Sequence, residues 1–328
     1  MKLNVSYSTI CEEELLLKLV PQYLAENPIF CLFWQRGSND TYQVHCSNEI
    51  YSLRVYRHGL RSREEVDFEI APLNYLKEHG ASVAYPIAKR EGGYVSEIHA
   101  PEGLRYVVMT THAKGDEPEY CGRKHIYEED ARLFGASVAE LHNLSEDFET
   151  EHKRPRLEIE HLLDRSQDIV GSFLQENSAN RKIIDDMIIG LRRTLDKVPI
   201  SNLDIGFCHG RNVHNDNGSL THFDFEFCGF GFRIFELATF NWGIWDDENR
   251  SELWSSFLQG YRSTREIGTE DLALVDTFVV IRQIWWMAFI MGNVRYFGYN
   301  DATDSFFNHQ LTNMKRMMSS ASIGENKF

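Results

Sequence analysis

The stretch that most constrains this chain lies at residues 206–240, where phenylalanines alternate with polar residues. Residues 221–227 alternate strictly, which is the period of a half-buried strand. The aromatic rings would share one face of this strand, and Asp224 and Glu226 would lie on the other. The pattern therefore predicts a strand that presents two carboxylates on a single face.

A hairpin is predicted just before this strand. The sequence Asn-Asp-Asn-Gly at 215–218 is typical of a tight turn between two strands. Asn212 precedes the turn, and Asp224 follows it. Asparagine and aspartate oxygens are hard ligands of the kind that Mg²⁺ prefers, so the hairpin predicts a metal site.

The order of these residues resembles the catalytic core of a known superfamily. The spacing from Asn212 to Asp224, followed by Cys228-Gly229 and Glu236-Leu237-Ala238, is similar to that of the aminoglycoside phosphotransferases and choline kinases. The branch it most resembles contains the bacterial stress-response Ser/Thr kinases and homoserine-kinase-like proteins. The resemblance implies an α+β, bilobal, protein-kinase-like fold, with an antiparallel sheet and a helix in the N-lobe and a mainly helical C-lobe. We expect a nucleotide-binding lobe at residues 1–112 and a lobe with the metal and acceptor site at 113–328.

The resemblance also implies ATP and Mg²⁺ as cofactors. By position, Asn212 and Asp224 match the two metal ligands of the family. Glu226 would lie about 7 Å from Asp224 along the same strand face, where it could assist a second metal ion.

Five further residues fall at nucleotide-binding positions of the family. Arg54 lies where kinases place the cation that pairs with the phosphates, and Glu69 lies where a helix glutamate pairs with that cation. Ser38 and Asn39 lie in the expected phosphate-covering loop, and Met109 begins the expected adenine-binding hinge at 109–113. The alternatives are a solvent-facing arginine, a surface acid and a plain hairpin turn, and these stay open.

The catalytic loop departs from the family. The family has H-G-D-x-H-x-x-N, whereas this chain has His209-Gly210-Arg211-Asn212, which is four residues shorter and lacks the aspartate. Counting five residues back from Asn212 leads to Phe207, and aligning on the His-Gly pair leads to Arg211. Neither side chain can accept a proton, so no catalytic residue is assigned between Gly210 and Asn212.

Three functions follow from this combination. The first is transfer of the ATP γ-phosphate to a hydroxyl of a small molecule or of a protein serine or threonine. The second is nucleotide binding without transfer, and the third is a scaffold with a collapsed metal site. The identity of the acceptor is open, because acceptor pockets on one fold vary with function.

Bulk composition narrows the range of partners. The net charge of −15 argues against a nucleic-acid or anionic-membrane surface, which would favour a basic face. The six cysteines include no C-x-x-C pair and follow no secretory signal, so we expect reduced thiols in a cytoplasmic protein. The most apolar run, at 278–292, contains Arg282 and Gln283 and is too short to span a bilayer.

Three local patterns complete the expectations. Thr9 and Glu12 form a predicted capping box at the start of the first helix, and Ser62 and Glu65 form another at the start of a later helix. The charged residues at 146–156 predict a solvated linker. Trp285 and Trp286 lie on a long predicted helix and would either pack in the core, as their helical spacing favours, or line an acceptor pocket.

Overall fold

The computed structural model describes residues 3–116, 128–175, 178–196, 203–206, 212–299 and 303–321. Contacts between Cα atoms divide the chain into two compact units. The first unit consists of Met1–Glu117, Asp147–Arg154 and Asn212–Glu226, and the second contains the rest of the chain. Each unit is therefore assembled from separate stretches of sequence. The predicted division into lobes after residue 112 stays a prediction.

The first unit is built on a five-stranded antiparallel sheet with strand order β1-β2-β3-β5-β4. Its strands are β1 (Phe30–Arg36), β2 (Asp40–His45), β3 (Ile50–Val55), β4 (Val95–Ala100) and β5 (Gly103–Thr111). Alternate residues of the central strands are fully buried, among them Val44, Leu53 and Val107. This is the period expected where a sheet face packs against a covering element.

The covering element on that face is the N-terminal helical segment. It begins as α1 (Glu12–Glu14), continues as a π-helical turn at Leu15–Leu19 and ends as a 3₁₀ turn at Val20–Gln22. Leu15 and Leu19 join the apolar cluster of the sheet. The predicted capping box is wrong, because the helix begins at Glu12 with no side-chain cap, and the Thr9 hydroxyl instead accepts a hydrogen bond from Arg36.

The opposite face of the sheet packs against helix α2 (Arg63–Glu78). The predicted capping box at its start is present: Ser62 Oγ accepts from the Glu65 amide, and the Glu65 carboxylate accepts from the Ser62 amide. Val66 and Ile70 then face the sheet and pack with Val95 and Val108. The cap fixes where the helix starts, and so it fixes which residues of α2 face the sheet.

The predicted hairpin is confirmed as β7 (Val213–Asp216) and β8 (Ser219–His222). Asn217 and Gly218 have φ values of 51° and 92°. Positive φ at both turn residues is the requirement of the type I′ turn that Asn-Gly favours. The hairpin belongs to the first unit, where the backbones of Asp116 and Asn215 exchange two hydrogen bonds of 3.2 and 2.8 Å.

The predicted strand at 221–227 is wrong beyond His222. The hairpin ladder continues for one more pair, since the Phe223 amide donates to the Asn212 carbonyl at 2.9 Å. The chain then leaves the strand direction at Asp224, which adopts a left-handed φ of 59°. Phe225 and Glu226 are both buried, so the alternation does not separate a core face from a solvent face. Glu226 therefore does not lie along a strand face from Asp224.

The second unit is mainly helical. Its helices are α3 (Glu128–Leu144), α4 (Arg165–Ser172), α5 (Ala179–Leu195), α6 (Arg233–Gly243), α7 (Arg250–Thr264), α8 (Thr269–Ala273), α9 (Val275–Gly292), α10 (Val294–Phe297) and α11 (Asp304–Ser320). A π-helical turn at Glu160–Asp164 precedes α4, and β6 (Leu203–Gly206) pairs with β9 (Gly229–Phe232). Helix α11 was not expected from the sequence. The predicted fold class, a sheet with a helix followed by a mainly helical region, is confirmed.

Helix α9 is the most apolar element of the second unit. The helix begins three residues before the predicted apolar run, so the prediction that this run is too short to span a membrane is wrong by length and composition. However, 67% of the helix is buried inside the protein, as in a core helix. Trp285 packs against Phe227 and Phe289, with ring centroids 5.2 and 5.9 Å away. Both tryptophans of this helix are half-buried, so the choice between core and acceptor pocket stays open.

Helices α3 and α7 approach each other closely through two glycines. A Cβ on Gly135 would overlap the carbonyl oxygen of Phe257, and a Cβ on Gly260 would overlap the carbonyl oxygen of Arg132. Neither glycine has a positive φ, so the requirement is for space and not for backbone freedom. The close contact between these helices therefore requires glycine, with no Cβ, at both positions.

We expect Gly260→Ala to destabilise the protein by about 3 kcal/mol, since overpacking against backbone atoms cannot be relieved by a rotamer change. For a unit of this size the unfolding temperature would fall by roughly 5–10 °C. Gly243→Ala is the matched control, because nothing lies within 4 Å of its Cβ position. Thermal unfolding followed by circular dichroism measures both, and equal unfolding temperatures would contradict the predicted overlap.

Candidate functional site

The first unit contains a compact cluster of charges centred on Arg54. Its Nη1 donates to Glu69 Oε1 at 2.7 Å, and its Nη2 donates to Asp224 Oδ1 at 2.6 Å. The Arg54 side chain is 19% exposed and Glu69 is 5% exposed. Burial lowers the pKa of Arg54, but the carboxylates of Asp224 and Glu69 outweigh it and raise that pKa well above its usual range. The structure thus brings together three of the predicted site residues.

Strand register and helix phase explain why these side chains meet. Arg54 pairs with Thr41 on β2 and with Val108 on β5, so its side chain lies on the sheet face that α2 covers. Glu69 lies one helical turn after Glu65 on α2, whose start is fixed by the capping box. A solvent-facing Arg54 and a surface Glu69, the alternatives left by the sequence, do not agree with this geometry.

Asp224 reaches Arg54 from the segment that follows the hairpin. Its left-handed backbone is held by Asn212, whose Nδ2 donates to the Asp224 carbonyl at 3.3 Å and whose carbonyl accepts from Phe223. The hairpin itself lies tight against Gly115, where a Cβ would overlap the backbone of Asn215. The hydrogen bonds of Asn212 and the contact of the hairpin with Gly115 therefore fix the positions of Asn212 and Asp224.

Glu226 is 5% exposed, and its Oε1 is buried without a hydrogen-bond partner. Burial and the Asp224 carboxylate raise the pKa of Glu226 to about 7, although Arg54 and Arg61 oppose the shift. A buried carboxylate oxygen without a donor is costly unless a cation or a proton compensates it. Glu226 is therefore suited either to hold a proton or to bind a cation.

This donor set fits a hard divalent cation. It offers the carboxylates of Asp224 and Glu226 and the amide oxygen of Asn212, the ligand types that Mg²⁺ and Ca²⁺ prefer. Across the described ranges, no group of three or more His, Cys, Asp and Glu side chains is arranged to hold a metal ion. A metal site here would accordingly be built from two carboxylates and one amide, with the unpartnered Glu226 oxygen as one donor.

The remaining predicted residues lie elsewhere in the first unit. Ser38 and Asn39 are buried in the turn between β1 and β2, where Asn39 Oδ1 accepts from the Arg57 amide at 2.9 Å. The Met109 side chain is fully buried in the apolar cluster of the sheet, and its carbonyl accepts from Ile87 at 2.8 Å. Their roles in nucleotide binding stay predictions.

One row of residues on the same sheet face as Arg54 was not predicted from the sequence. Leu32, Gln43, Ser52 and Thr110 are successive cross-strand partners, and Ser52 lies two residues from Arg54 on β3. Cross-strand partners share a face. Ser52 Oγ lies 3.0 Å from His112 Nδ1, and burial lowers the pKa of His112. Stepping by two from Arg54 along β3 would have identified this row.

The solvated linker predicted at 146–156 is confirmed for alternate residues such as Glu149, Glu151 and Lys153, which are exposed, but it is wrong for Phe148 and Arg154. Residues 147–154 belong to the first unit. Phe148 is buried against Tyr75 of α2, with ring centroids 5.2 Å apart. Arg154 has a side chain only 3% exposed, and its Nη2 lies 3.3 Å from Glu69 Oε2. The charged composition of this segment predicted exposure to solvent, whereas Phe148 and Arg154 anchor it to helix α2.

Residues 207–211, which include Gly210 and Arg211, lie outside the described residues.

Comparison with known proteins identifies the family to which this chain belongs. The phosphotransferase enzyme family matches residues 30–273. An uncharacterized protein of Synechocystis sp. is 28% identical over 316 residues, which cover 95% of this chain and 86% of the relative.

Two solved structures share the fold. An amicoumacin kinase in complex with AMP-PNP, Ca²⁺ and Ami has a TM-score of 0.75 at 18% identity, with 94% of this chain and 93% of that one covered. A microcompartment-associated aminopropanol kinase has a TM-score of 0.75 at 22% identity, with 93% and 97% covered. The predicted superfamily and its protein-kinase-like fold are confirmed, and the chain belongs to the phosphotransferase enzyme family.

Proposed function

We propose that this protein binds ATP with a divalent cation and transfers the γ-phosphate to a hydroxyl group of a small molecule. The observation that supports the proposal best is the Arg54 guanidinium, held between Glu69 at 2.7 Å and Asp224 at 2.6 Å. Kinases use a strand cation paired with a helix carboxylate to bind nucleotide phosphates, beside an aspartate that binds the metal.

Each residue of the cluster then has a distinct task. Arg54 would bind phosphate oxygens through two parallel N–H donors, while Glu69 holds its guanidinium in place. Asn212, Asp224 and Glu226 would hold the cation. Mg²⁺, when bound, supplies charge neutralisation on the phosphates. Because Arg54 already contacts Asp224, phosphate and metal would be bound side by side.

The structural neighbours support a proposal for the acceptor class. Because they include an amicoumacin kinase and an aminopropanol kinase, they favour a small hydroxyl compound over a protein substrate. Trp285, Phe289 and Phe227 form a half-buried aromatic group in the second unit, and such groups are suited to the apolar body of a ligand. A protein serine or threonine remains the alternative acceptor.

The catalytic loop allows a simpler alignment than a deletion of four residues. Strand β6 ends at Gly206, so only residues 207–211 separate it from Asn212. Counted back from Asn212, Gly206 and His209 fall on the glycine and second histidine of H-G-D-x-H-x-x-N. Phe207 then occupies the aspartate position, and no residue is missing.

A second function is favoured by this substitution. With phenylalanine in place of the general base, the chain would bind nucleotide and transfer phosphate slowly or not at all. A general base contributes about 10²–10⁴-fold to a rate, so slow transfer is compatible with its absence. Turnover distinguishes the two functions. It is measured as Mg²⁺-dependent γ-phosphate transfer to a panel of amino alcohols and amino sugars, with a generic protein substrate alongside.

We expect Phe207→Asp to raise turnover by about 10²–10⁴-fold, since it would restore a carboxylate at the position of the base. Cys208→Asp is the matched control, because it adds the same charge one residue further along the loop. Initial rates of ADP release with and without acceptor measure both variants. Equal rates for the natural chain and Phe207→Asp would mean that another group accepts the proton.

We expect Asp224→Asn to abolish most of the gain in nucleotide affinity that Mg²⁺ produces. Loss of outer-shell partners alone costs about 10- to 100-fold in metal affinity, and loss of a charged ligand should cost at least as much. Asp216→Asn, on the exposed hairpin turn, removes the same charge and should leave affinity unchanged. Calorimetric titration with a non-hydrolysable ATP analogue, with and without Mg²⁺, measures the effect. An undiminished Mg²⁺ effect in Asp224→Asn would rule out Asp224 as a ligand.

A further inference from the structure

Arg154 stands out because a buried arginine is costly unless its donors are used. It lies in the segment Asp147–Arg154, which belongs to the first unit although the sequence on both sides belongs to the second. The guanidinium also lies over the ring of Phe68 on α2, 5.6 Å from its centroid. The segment therefore places a cation inside the first unit from outside its main run of sequence.

The first partner of Arg154 is helix α2. Its Nη2 donates to the Glu65 carbonyl at 2.8 Å and lies 3.3 Å from Glu69 Oε2. The other oxygen of Glu69 accepts from Arg54. The Glu69 carboxylate is thus held between two guanidinium groups, one on each oxygen, and cannot rotate without losing a charged hydrogen bond.

The second partner of Arg154 is the turn that contains the proposed metal ligands. Its Nη1 donates to the Glu226 carbonyl at 2.9 Å, and Arg61 Nη2 donates to the same oxygen at 3.1 Å. Asp224 lies two residues earlier in this turn and has a left-handed backbone. Two cationic donors on one carbonyl hold the turn in place without using Glu226 Oε1, which has no hydrogen-bond partner.

These contacts suit arginine and not lysine. One planar guanidinium reaches the helix carbonyl, the Glu69 carboxylate and the Glu226 carbonyl at once through separate N–H groups. An ammonium is a point charge on a flexible stem and cannot reproduce this fork. Arg154 therefore links helix α2, whose Glu69 binds Arg54, to the turn that contains Asp224.

We infer that Arg154 is a positioning residue for the nucleotide-metal site, acting through Glu69 and through the backbone of Glu226. This inference rests on the proposed function for its effect on ligand binding, but not for its effect on local structure. Movement of the segment 147–154 would therefore shift both the Glu69 carboxylate and the turn that contains Asp224 and Glu226. Lys153, on the same segment but exposed, provides a control.

The test compares Arg154→Met, Arg154→Lys and Lys153→Met in the full chain. The dissociation constant of a non-hydrolysable ATP analogue is measured with and without Mg²⁺. We expect Arg154→Met to reduce the Mg²⁺-dependent gain in affinity about tenfold, as outer-shell changes do. Arg154→Lys should restore part of the gain, and Lys153→Met should match the natural chain. An unchanged Mg²⁺ effect in Arg154→Met, with only a lower unfolding temperature, would overturn the inference.

Amide hydrogen exchange gives a measurement that needs no bound ligand. We expect Arg154→Met to speed exchange in α2 and at 223–228 and to leave the rest of the first unit unchanged. Uniformly faster exchange, or no change at these two places, would overturn the inference. If the natural chain binds no nucleotide, the proposed function fails, and the exchange pattern still decides whether Arg154 positions these elements.

Discussion

The structure of the site depends on one buried guanidinium. Arg54 joins the sheet, helix α2 and the turn after the hairpin, because its two nitrogens donate to Glu69 and Asp224. The Glu69 side chain is only 5% exposed, so removing Arg54 would leave its charge uncompensated, a loss that typically costs about 3–5 kcal/mol for a buried pair. The Asp224 side chain is 36% exposed, so its pairing with Arg54 contributes less. The ion pairs thus hold three chain segments together with the same groups that would bind phosphate and metal. The stability of this unit and the proposed ligand binding therefore depend on the same charged side chains.

Acidic side chains outnumber the cations in this cluster. The carboxylates of Glu65, Glu69, Asp224 and Glu226 lie among three arginines at 54, 61 and 154. Burial, and after it the carboxylates of Asp224 and Glu69, raise the pKa of Glu226. A divalent cation would compensate it directly, and a phosphate would attract Arg54 away from Asp224. Because a phosphate is itself an anion, it would depend on Arg54 and the cation together.

Sequence reasoning predicted the parts of this site that depend on local chemistry. The cap at Ser62 and the Asn217-Gly218 turn were recognisable because turn and cap geometry is encoded within a few residues. The strand after His222 was predicted wrongly, because a single left-handed residue at Asp224 overrides the apolar period. Arg154 was missed because its partners are 72 to 89 residues away, and composition alone suggested a solvated linker.

The division of the first unit among three stretches of sequence has a consequence for synthesis on the ribosome. Arg54 and Glu69 emerge early, but Arg154 follows Glu69 by 85 residues, and Asp224 follows Arg54 by 170. At about 5–20 residues per second, the sheet and α2 wait many seconds for these partners. During that interval Glu69 has Arg54 as a partner but not yet Arg154. Completion of this unit is therefore coupled to translation of nearly half of the helical unit.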